Sequence, residues 1–103
     1  MDTIFRPKTT RRVPRVAADF PVILNLEKNR FYCQAHQLSE FGILVTPTQK
    51  KLIGQIVKID LLPEHPNHRL SLSGVVAYAI DSGLGIRFTD MGPEQQFTLK
   101  RYV

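Results

Sequence analysis

"FPVILNLEKNRFYCQAHQLSEFGILVT", residues 20–46, alternates apolar and polar side chains through two turns. A period of two marks strands with one face turned inward. In residues 20–27 Val22, Leu24 and Leu26 share a face, with Ile23, Asn25 and Glu27 opposite. Lys28 and Asn29 interrupt the run, and in residues 31–37 Phe31, Cys33 and Ala35 oppose Tyr32, Gln34 and His36. "SEFG" (39–42) has serine at the first and glycine at the fourth place of a type I turn. "ILVT" (43–46) continues as a third strand, closed by Pro47. Three strands this closely spaced decide the class as antiparallel β.

The pattern continues outward from this stretch. "IGQIVKIDL" (53–61) sets Val57, Ile59 and Leu61 against Ile56, Lys58 and Asp60, and "PEHPNH" (63–68) reads as a loop. "RLSLSGVVAYAI" (69–80) places Leu70, Leu72, Val76, Tyr78 and Ile80 on one face, with Gly74 read as a bulge. "DSG" (81–83) turns the chain, and "LGIRFT" (84–89) directs Leu84, Ile86 and Phe88 inward. Six such strands imply an antiparallel meander, and closure into a barrel removes its edges. "GPEQQFTLKRYV" (92–103) has Pro93 at a helix start and cations at its end, which predicts a short helix. Phe97, Leu99 and Arg101 also alternate, so a strand competes there. The expected fold is all-β: a six-stranded antiparallel β-barrel with a short C-terminal helix.

Composition suits one folded domain of 103 residues, 43% hydrophobic and 22% charged. Cys33 is the single cysteine, so no intramolecular disulfide forms, and no apolar run reaches signal-peptide or membrane-spanning length. The expectation is a cytoplasmic protein with no membrane span. The net charge of +5 is concentrated: residues 1–16 carry five cations against Asp2 alone, while the rest is nearly neutral. Residues 1–19, with Pro7 and Pro14, are predicted to be a flexible basic arm ahead of a barrel over 20–103. Within it "RRVPR" (11–15) is extended by Pro14, so Arg11 and Arg15 point to one side and Arg12 to the other. Cations gathered in one short arm suit a small dense anion better than long nucleic acid.

Other chemistries find no support in the residues. His65 and His68 in a Pro-containing loop, with distant His36 and one cysteine, fall short of a metal set. There is no catalytic triad, carboxylate pair or phosphate-binding glycine loop, so no enzyme and no cofactor are expected. Tyr78, Phe31 and Phe88 fall on inward parity, so the aromatics read as core rather than as platforms for bases.

The order of these features resembles the PilZ domain, a small bacterial β-barrel receptor for cyclic di-GMP. The shared pattern is an Arg-x-x-x-Arg arm (Arg11, Arg15), a first strand "FPVILNLE", an Asp/Asn-x-Ser-x-x-Gly turn met by "QLSEFG", a glycine-flanked "SGLGIRFTDM" and a final helix. The resemblance covers most of the chain. It implies a non-catalytic receptor that binds cyclic di-GMP through Arg11, Arg12, Arg15, Gln37, Ser39 and Gly42. It further implies that the arm changes conformation on binding and signals to a downstream protein partner in motility or biofilm control.

The chemistry fits the residue types. Arginine offers a planar fork to guanine O6 and N7 or to phosphate. Guanine N1–H and N2–H need acceptors, which the family's Asp/Asn and Ser supply. Gln37 departs from that pattern by one methylene, and an unpaired donor there costs on the order of 1–3 kcal/mol, about 5- to 150-fold in affinity. Arg12 is read as a phosphate or surface cation. Two other classes remain: a PilZ-like adaptor that acts through protein contacts alone, and an RNA- or single-stranded-DNA-binding barrel, disfavoured by the near-neutral body.

Overall fold

The computed structural model describes residues 15–62 and 69–101. Among these residues there are seven strands: β1 (Arg15–Ala17), β2 (Pro21–Asn25), β3 (Arg30–Ser39), β4 (Gly42–Thr46), β5 (Ile56–Leu61), β6 (Leu70–Ile80) and β7 (Gly83–Thr89). One helix follows, α1 (Pro93–Lys100). β2, β3 and β4 pair in sequence, as do β5, β6 and β7, all antiparallel. β2 also pairs with β5 and β4 with β7, which closes a six-stranded antiparallel barrel. The expected barrel and terminal helix are both present.

Connectivity departs from the expected meander, which would have paired β4 with β5. A one-turn 3-10 helix (Lys50–Leu52) carries the chain from β4 across to β5, and its Leu52 is buried. Alternation reports which face a residue occupies but not which strand lies beside it. β1 is a further strand, joined among the described residues to β3 alone, so residues 15–17 of the segment read as an arm are paired with the barrel.

The core is the inward set expected from the period of two. Val22, Leu24, Cys33, Val57, Ile59, Leu61, Leu84, Ile86 and Phe88 are all buried, and Ile43 and Val45 of β4 join them. Burial pushes the Cys33 thiol up to about 11, which keeps it protonated and unreactive as a core residue. Leu99 of α1 is buried against this core. The Gly92 amide donates to Gln95 Oε1 (2.7 Å), and Gln95 Nε2 donates to the Ser71 carbonyl (2.8 Å), tying the helix to β6. These contacts decide residues 93–100 as helix. Among the described residues no helix is long and apolar enough to cross a membrane.

Two bulges correct the sequence reading. The register shifts in β3 between Ala35 and Gln37 and in β6 between Val76 and Tyr78. Each inserted residue inverts the parity beyond it. Tyr78 and Ile80, expected inward, therefore face outward, and Ala79 packs on the core instead. Gly74, expected to be the bulge, is paired in register with Val57 and Phe88. Its role is close approach: a Cβ there would lie 2.8 Å from the Arg87 carbonyl oxygen.

Candidate functional site

The site is built around the turn from β3 to β4. Ser39 is buried despite its hydroxyl, because that oxygen is consumed locally. Its Oγ accepts the Phe41 amide (3.1 Å) and the Gly42 amide (3.3 Å), fixing the turn. With both lone pairs engaged, the hydroxyl proton is what Ser39 has left to offer. Ser39→Ala leaves two amides without an acceptor and is expected to cost about 1–2 kcal/mol of stability. Thermal unfolding checks this, with a melting temperature lower by about 5–15 °C.

Strand pairing carries the other residues to this turn. Arg15 sits opposite Ser39 and Ala17 opposite Gln37. The bulge at His36 puts Gln37 on the outer face, paired also with Leu44 of β4. Leu44 pairs with Gly85 of β7, and Gly85 with Tyr78 of β6. Directly paired residues share a face, so Ala17, Gln37, Leu44, Gly85 and Tyr78 form one row across the outside of five strands. A second row beside it runs Arg15, Ser39, then across the turn Gly42 and its partner Arg87.

Two glycines make the floor of this face. A Cβ on Gly85 would lie 2.3 Å from the Tyr78 ring, and one on Gly83 would lie 3.1 Å from Leu44 Cδ1. The phenol thus lies against the bare backbone of Gly85, while a Cβ on Gly83 would also meet the Val45 carbonyl oxygen at 2.7 Å. Burial raises the Tyr78 pKa, and the positive charge of Arg15, four strands away along this face, acts in the opposite sense and lowers it. Gly42 is not among the glycines with positive φ. What it supplies is an absent side chain on the outer face between Ser39 and Arg87.

Arg15, Gln37, Ser39 and Gly42 are thus gathered on one outer face, while Arg11 and Arg12 lie outside the described residues. The sequence reading missed Tyr78, Leu44 and Arg87. A usable signal was present in Gly83 and Gly85, two apart and so on one face, which need a large neighbour to cover them. No group of three or more His, Cys, Asp or Glu able to hold a metal occurs among the described residues. His65 and His68 lie outside them.

These features define a small closed β-barrel domain whose polar, cationic outer face is assembled by a short added strand. The PilZ domain family model matches residues 9–103, and the chain belongs to that family. Similar folds occur in the PilZ domain of YcgR from Escherichia coli solved with c-di-GMP (15% identity, 92% of this chain and 89% of that one, TM-score 0.72). The PilZ domain of CeSA from a cellulose-synthesizing bacterium is also similar (17% identity, 87% and 94% coverage, TM-score 0.69). So is the Bacillus subtilis inhibitor of motility MotI/DgrA (17% identity, TM-score 0.69), where 91% of this chain spans about half, 49%, of the other. No curated protein matches the chain.

Proposed function

We propose that this PilZ domain is a non-catalytic, cytoplasmic receptor for cyclic di-GMP, which binds on the outer face formed by Arg15, Gln37, Ser39 and Gly42. The observation that carries this reading is the β1–β3 pairing, which sets Arg15 opposite Ser39. The similar YcgR domain solved with c-di-GMP supports the choice of ligand. In this account Arg15 directs its fork at a guanine edge or a phosphate, and the Gln37 amide oxygen accepts from guanine N1–H or N2–H. Ser39 donates its remaining proton, Gly42 leaves room, and Leu44 with Tyr78 forms an apolar floor. Arg11 and Arg12 join as further ligand contacts on the strength of sequence alone. As the sequence pattern implies, binding changes the conformation of the N-terminal arm. This creates a new surface for a protein partner, with motility control the role suggested by the Bacillus inhibitor.

Calorimetric titration with cyclic di-GMP, against cyclic di-AMP as control, tests this reading. Saturable heat with the first ligand alone is expected. Absence of heat at roughly hundreds of micromolar cyclic di-GMP favours the adaptor that works through protein contacts. Gln37 is the observation behind that second reading, since it stands where the family pattern has Asp or Asn. Gln37→Asn is expected to tighten binding by about threefold to tenfold, because the shorter amide loses less freedom on pairing. An unchanged Kd removes Gln37 from the contact set.

A further inference from the structure

Arg87 lies in the middle of β7, in register with Gly42 on one side and Val75 on the other. Its neighbours Ile86 and Phe88 are buried in the core, so alternation turns Arg87 outward, and it is exposed. It therefore shares the outer row of Arg15, Ser39 and Gly42, on the far side of the turn from Arg15. Gly42, between them, has no side chain to intervene. The row contains no acidic residue: it reads Arg15, Ser39, Gly42, Arg87, Val75 and, on β5, Ile56.

The dimensions suit a ligand with two separated anions. Three strand-to-strand steps of about 4.8 Å place the two arginine Cα atoms on the order of 14 Å apart. An extended arginine reaches about 7 Å from its Cα, so the two guanidiniums can close on groups a few ångströms apart over the Ser39–Gly42 turn. A cyclic dinucleotide carries two phosphates on opposite edges of its ring, and among the described residues Arg15 and Arg87 are the cations of this row, one on each side of the turn.

We infer that Arg87 is a further binding residue of this face and takes the second phosphate of the dinucleotide, across the turn from Arg15. This rests on the cyclic di-GMP reading above. Its test is calorimetric titration of the full chain with cyclic di-GMP, comparing the parent with Arg87→Ala, Arg87→Lys and Arg87→Glu. Arg87→Ala is expected to weaken binding about tenfold, Arg87→Glu more, and Arg87→Lys less than either. The Arg87→Ala loss should shrink as salt is raised, because the missing term is charge–charge attraction. Arg87 is exposed, so melting temperatures close to the parent's are expected, and binding is compared only among variants that melt cooperatively. A fivefold or greater loss for Arg87→Ala with recovery in Arg87→Lys supports the inference. A smaller loss, or equal losses in all three variants, overturns it while the cyclic di-GMP reading stands. A parent chain that gives no heat overturns both.

Discussion

Arg15→Ala is expected to weaken cyclic di-GMP binding by at least about a hundredfold while leaving the barrel folded. Charge-assisted hydrogen bonds contribute about 1.5–3 kcal/mol each, and a bidentate fork makes two, so their loss exceeds two decades of affinity. Arg15 is exposed at the end of a three-residue strand and contributes no core packing, so its removal costs the fold little. Calorimetry reads the affinity and circular dichroism the fold. Tyrosine-labelled NMR gives an independent check. Burial and Arg15 act in opposite senses on the Tyr78 phenol, so its pKa should climb further in Arg15→Ala. A phenol that titrates unchanged would mean that the cation does not lie near Tyr78.

Gly85→Ala is expected to damage both stability and binding. The added methyl would occupy space 2.3 Å from Tyr78 Cζ and 2.4 Å from Cε2, so the ring must leave the backbone it covers. Overpacking of this kind costs about 1–3 kcal/mol, and the displaced ring spoils the floor beside Gln37, with an affinity loss above about tenfold. A double-mutant cycle isolates the cause. In a Tyr78→Ala background the methyl has no ring to displace, so Gly85→Ala should cost far less there. Urea unfolding measures all four chains. Additive losses would show that the glycine is needed for some reason other than the ring.

The barrel was legible in the sequence because burial imposes a strict period of two. Val22 and Leu24, Val57 and Ile59, and Leu84 and Ile86 all occupy the inward places expected of them. Two features of the barrel itself were not legible. Pairing between strands distant in sequence leaves no local mark, so the β2–β5 and β4–β7 closures could not be read from alternation. Nor could the bulges at His36 and Ala77, where one residue inverts the parity of everything after it. The second bulge hid Tyr78, which simple alternation placed in the core. Ser39 and Gly42 were recognisable from turn chemistry. The position of Arg15 was not, because a three-residue strand leaves too short a pattern to distinguish from a lead-in. The hydroxyl of Ser39 is also more committed than its residue type suggests, since two amides already hold its oxygen.

The location of the site is tested most directly by amide NMR of the full chain titrated with cyclic di-GMP. The account predicts shifts confined to one side of the barrel: Arg15 to Ala17, Gln37 to Gly42, Leu44, Tyr78, Gly85 and Arg87. Shifts centred instead on β2 and β5, at Asn25, Lys58 and Asp60, with Arg15 and Ser39 unmoved, would contradict it.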